Sequence, residues 1–117
     1  MTGADLLPEF DLEMANTRKT LERVPNDRLD YQVHEKSYTL LKLAGHLSNI
    51  PAWAEMILLK DELDMSGPFE RDEPSNVEEI LADFDKNVVE ARAILEKTDA
   101  EVMASTWTLK QAGETLF

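Results

Sequence analysis

The chain has 117 residues, 24 acidic against 12 basic side chains and a formal charge of −12, with 43% hydrophobic residues and no cysteine. That apolar share is the composition of a folded globular domain, and the acid excess repels phosphate, which argues against nucleic acid and anionic membrane surfaces as partners. The lack of cysteine removes disulfides, thiolate nucleophiles and cysteine-ligated zinc, and suits a reducing cytoplasm.

One domain covering residues 1–117 is expected. Met1 to Asp11 lacks the basic start of a secretory signal. No apolar run approaches the roughly 20 residues that span a bilayer.

In chain order, a first helix is expected from Leu7 to Arg23. Pro8 suits its first turn, where a missing N–H costs nothing, and Pro25 stops it. Leu7, Phe10, Met14, Thr17, Leu21 and Val24 fall on one face. A turn follows through Asp30, then a connector carrying Tyr31, His34 and Lys36. The second helix is expected from a Thr39 cap to about Leu63, bent at Pro51 and loosened by Gly45. Its stripe reads Leu43, His46, Ile50, Trp53, Ile57, the alternating three- and four-residue step of one helix face. That face is expected to turn inward, where the His46 imidazole needs a hydrogen-bond partner, a proton or a metal, because a buried unpaired polar group costs about 1–3 kcal/mol.

A polar loop from Asp64 to Pro74 contains Gly67-Pro68 and the acids Glu70, Asp72 and Glu73. The third long helix opens on Ser75-Asn76-Val77-Glu78, read as a capping box, and runs to about Lys97. Thr98 to Ser105 forms a further short turn. Thr106 to Leu109 and Thr115 to Phe117 read as a small extended or hairpin piece around Gly113. The expected fold is all-α, an antiparallel up-down bundle of three long helices with a small extended C-terminal piece.

Leu21-Glu22-Arg23-Val24-Pro25, Asp27, Leu29, Tyr31, His34, Lys36-Ser37, Leu40, Leu43-Ala44 and His46-Leu47 together form a pattern. In order and spacing it resembles the DinB-like (DinB/YfiT) superfamily of bacterial four-helix bundles. The later helix and the Trp107 to Phe117 piece fit the same order. The resemblance implies a metal-dependent bundle in which His46 is one of three ligands to a divalent metal, zinc or nickel. It implies that the other two come as a His-x-x-x-His pair on a fourth helix, expected after Phe117, and so a C-terminally incomplete member. Relatives include thiol S-transferases and hydrolases in which the metal holds a thiolate, so a small thiol is the substrate the resemblance implies; many members have no known activity. The pattern departs at His34, which matches no ligand position, and at Val33, where the family has proline.

Two histidines cannot supply a three-histidine site in cis. Glu55 lies nine residues from His46, about 13 Å along a helix, too far to share a metal with it. Glu13 and Asp85 are the acids on other helices that could. His46 is therefore read three ways: a metal ligand, a hydrogen-bonded core or interface histidine, or a catalytic base. The isolated chain is expected to hold no metal. Three helices leave an apolar groove, so a non-catalytic homodimer, with a second copy over the groove between the helices, is the alternative function. An acidic module that binds a basic partner is a third reading, from charge alone.

Overall fold

Pro8 and Pro25 bracket the first helix as their chemistry requires: α1 spans Leu7–Glu22, preceded by a 3-10 turn at Gly3–Leu6. The computed structural model describes residues 1–64 and 73–116. After α1 come a 3-10 turn (Asn26–Arg28), α2 (Leu40–Asn49), a 3-10 turn (Ile50–Ala52), α3 (Trp53–Leu58) and β1 (Glu62–Asp64). Then follow α4 (Val77–Lys97), α5 (Ala100–Ala104), β2 (Thr108–Gln111) and β3 (Glu114–Thr115). The molecule is mainly helical, with a small three-stranded sheet that departs from the all-α expectation. Most of the expected polar loop, with Gly67-Pro68, Glu70 and Asp72, and the apolar Phe117 lie outside the described residues.

α4 is the helix on which α1, α2 and α3 pack. Leu21, Ala44, Ile80 and Phe84 form the buried core, flanked by Met14, Val24, Leu41, Leu47, Leu81 and Val88. Each large side chain removed from water there contributes about 1.5–3 kcal/mol. Two bidentate ion pairs join α1 to α4. Arg18 reaches Asp85 at 2.8 and 2.9 Å, and Arg92 reaches Asp11 at 2.9 and 3.0 Å. Each arginine also holds an acid one turn along its own helix, Glu22 and Glu96. The guanidinium beside each keeps the Asp11 and Asp85 carboxyls below the usual carboxylate range.

The starts of α2 and α4 are fixed by side-chain oxygens. Thr39 Oγ1 accepts from the Lys42 N–H at 3.2 Å, as its position before α2 predicts. At α4 the cap is one residue later than expected. Asn76 Oδ1 accepts from the Glu79 N–H at 2.9 Å, and Glu79 Oε2 accepts from the Ser75 N–H at 2.7 Å. Asn26 decides that register. Its Oδ1 accepts from the Val77 N–H at 2.9 Å while its Nδ2 donates to the Glu78 carboxylate, both oxygens at 3.2 Å. The turn after α1 thereby satisfies a free donor in the first turn of α4.

Pro51 breaks the second helix instead of bending it as one piece. It has no N–H to offer, and the Ile50 N–H is shared between the His46 and Leu47 carbonyls as the backbone tightens to a 3-10 turn. α3 then stops at Leu58 rather than Leu63, because the chain beyond it is drawn into the sheet. β1 pairs in parallel with β2, Glu62 opposite Thr108 and Asp64 opposite Lys110. β2 and β3 form the hairpin expected around Gly113. Ala112 and Gly113 have φ of 52° and 84°, the left-handed pair that a two-residue hairpin turn demands. Asp64 holds that turn, its carboxylate accepting from the Ala112 N–H at 3.0 Å and the Gly113 N–H at 2.9 Å. Trp107 is half-buried, its Nε1 donating to the Met56 carbonyl at 3.2 Å.

The N-terminal turn closes onto the far end of α4. The Gly3 N–H donates to the Thr98 carbonyl at 2.8 Å. A Cβ at Gly3 would stand 2.2 Å from the Leu95 carbonyl oxygen, so only glycine lets the backbones meet.

Candidate functional site

α2 presents two unlike faces. Ala44, Gly45 and Ser48 are buried, and Pro51 continues that side into the 3-10 turn. These small residues let α2 lie close to its neighbours. A Cβ on Gly45 would meet Pro74 Cγ at 3.4 Å. Ser48 Oγ donates to the Gly45 carbonyl at 2.7 Å, and the Ser48 carbonyl accepts from Asn87 Nδ2 of α4 at 3.0 Å. The buried hydroxyl is thus satisfied, and a further bond pins α2 to α4.

The opposite face carries the stripe that was expected to turn inward. Leu43 is 55% exposed, Ile50 45% and Ile57 39%, with Trp53 half-buried between them. His46 is exposed within that stripe, between Leu43 and Ile50. This corrects the expectation of an inward imidazole. α4 is approached through the small side chains, with Leu41 and Leu47 half-buried against the core, and the bulky apolar residues of the stripe are left outside. A ring in solvent needs no buried partner, so the reading of His46 as a core histidine falls away.

The stripe continues past the start of α2. Tyr31, Val33, Tyr38, Leu40 and Leu43, with Ser37, line an open, mostly apolar cleft of about 440 Å³. The ammonium of Lys42 sits 4.8 Å over the Tyr38 ring. His34 stays in the connector, exposed, its Nδ1 accepting from the Lys36 N–H at 3.1 Å.

The acids weighed as co-ligands lie on three different helices. Asp85 is held by Arg18. Glu13 and Glu55 are exposed on α1 and α3. Among the described residues no group of three or more His, Cys, Asp or Glu side chains is placed to hold a metal ion. His46 with its described neighbours therefore does not make the three-ligand site that a catalytic zinc or nickel needs.

The sequence reading missed the roles of Asn26, Asp64 and Gly3, all of which act on residues distant in the chain. It also missed the apolar cleft of the connector. The signal for that cleft was present, since Tyr31, Val33 and Tyr38 sit in a segment too short and polar to bury them. Among the described residues no helix is long and apolar enough to cross a membrane. Comparison with protein-family models, curated proteins and solved structures finds no match for the chain.

Proposed function

We propose that the chain is a DinB/YfiT-like helical-bundle protein that works by association through the outer face of α2 and α3. The observation that carries this is the exposed run Leu43, Ile50, Ile57, continued by Tyr31, Val33 and Tyr38. A contiguous apolar surface on an otherwise highly charged domain marks an interaction site. The α1–α4 ion pairs support the up-down, antiparallel arrangement. Passing from Asp11 to Arg18 along α1, the partner on α4 moves back from Arg92 to Asp85.

A second reading rests on His46, which lies within this face. In it His46 is a ligand to a divalent metal, as the family resemblance implies. The remaining ligands would come from whatever covers the face, and the assembled site would handle a small thiol. Metal analysis of protein purified with zinc or nickel present tests it. A stoichiometric ion lost in His46→Ala supports the reading, and protein free of metal in its associated form ends it. For association, Leu43→Glu is the direct test. It should keep the helical content and abolish complex formation in sedimentation velocity. Unchanged sedimentation would remove the proposal.

A further inference from the structure

We propose that the polar pocket between α2 and α4 is a binding site for a small free amino acid, held between Asp83 and Lys86. The pocket opens on the Gly45 and Ser48 side of α2, away from the Leu43 to Ile57 stripe, so it stands independently of the association reading.

Its size limits the occupant. Gly45, Ser48 and Pro74 form the buried part of the lining, and Asn49, Asp83, Lys86 and Asn87 complete it around about 250 Å³. Clefts that take drug-sized ligands run to about 300–1,000 Å³, so this one suits a smaller molecule.

Its polar groups are uncommitted. Asn87 Nδ2 donates to the Ser48 carbonyl at 3.0 Å, which fixes the amide and leaves its Oδ1 as an acceptor. Among the described residues no hydrogen bond engages the Asn49 amide, and no ion pair engages Asp83 or Lys86. Asp83 and Lys86 stand three residues apart on α4, a spacing at which opposite charges on a helix commonly meet, yet they do not pair with each other. One small pocket therefore presents a carboxylate, an ammonium and two amides.

That combination selects a zwitterion. A phosphate or a dicarboxylate meets Asp83, a simple amine meets Lys86, and an apolar molecule would strip water from four polar side chains and pair none of them. An α-amino acid satisfies both charges, its ammonium donating to Asp83 and its carboxylate accepting from Lys86. Having no net charge, it is not repelled by the −12 of the chain. The two asparagine amides supply donors and acceptors for a hydroxyl side chain.

Titration of the full chain with L-serine, followed by nitrogen–proton correlation spectra, tests the site. Ethanolamine is serine without the carboxylate, and β-hydroxypropanoate is serine without the ammonium. L-serine should shift the Asn49 and Asn87 side-chain amides and the Gly45 N–H, saturating with a Kd on the order of 0.1–1 mM, since both charged side chains are exposed. Each analogue should bind at least about ten-fold more weakly. Asp83→Asn should weaken L-serine about ten-fold and β-hydroxypropanoate not at all, and Lys86→Gln should weaken L-serine as much while sparing ethanolamine. Glu90→Gln, also exposed on α4 but outside the pocket, should bind L-serine as the wild type does. The proposal is overturned by the lack of saturable shifts up to about 10 mM. It is equally overturned if serine and its analogues bind alike, if neither pocket variant weakens serine, or if Glu90→Gln weakens it as much as they do.

Discussion

The two faces of α2 have the same helix and opposite fates. The inner one carries alanine, glycine and serine and is buried; the outer one carries Leu43 and His46, continued by Ile50 in the 3-10 turn, and faces solvent. Burial here follows the closeness of the neighbouring helix, not the apolarity of the side chain. A helix that must lie tight against α4 needs small residues at the contact, and its larger apolar ones are then free for another surface.

The strongest way to test this contrast is at the floor on which the small face rests. Phe84→Ala removes a side chain 2% exposed, in the cluster shared with Ala44. It should cost about 3–5 kcal/mol in urea unfolding. Next comes the seam between the N-terminal turn and α4. Gly3→Ala forces a methyl group onto the Leu95 carbonyl and should cost about 1–3 kcal/mol, with faster hydrogen exchange at the N-terminal turn.

A matched pair on α2 sharpens the comparison itself. Ala44→Leu, enlarging the inner face, should destabilise by about 1–3 kcal/mol. Leu43→Ala, one residue away on the outer face, should change monomer stability by less than about 0.5 kcal/mol at high dilution. Equal effects at the two positions would break the contrast.

The smallest effect is expected at the α1–α4 ion pairs. Asp11 and Asp85 have carboxyls lowered by Arg92 and Arg18. Their contribution is therefore full above the unfolded carboxylate pKa of about 3.9 and is lost as pH falls through the lower folded values. Both pairs are near half exposed, so the loss should be slight and should shrink further in high salt. Thermal melts between pH 5 and pH 2 at two salt concentrations check it.

Much of the helical framework was legible locally. Two prolines bracket α1, Thr39 opens α2, and the acids and amides at residues 75–79 announce α4. The one-residue shift of the α4 cap was not, because Ser75 and Asn76 both offer a capping oxygen and the choice lies with Asn26. The end of α3 and strand β1 depend on pairing with residues 108–110, which no local pattern encodes. The candidate site was half legible. The stripe was legible with His46 in it, but hydrophobic periodicity names an apolar stripe without saying which neighbour it meets. The small residues at 44, 45 and 48 carried that information.

The hydrogen bond from Gly3 to Thr98 has a consequence for biosynthesis. A ribosome releases the glycine well before its acceptor, which follows only once α4 is complete. During translation the opening turn has no seat. Final docking of the N-terminus must wait for the last turn of α4, so the emerging chain exposes the α1 stripe for most of its synthesis.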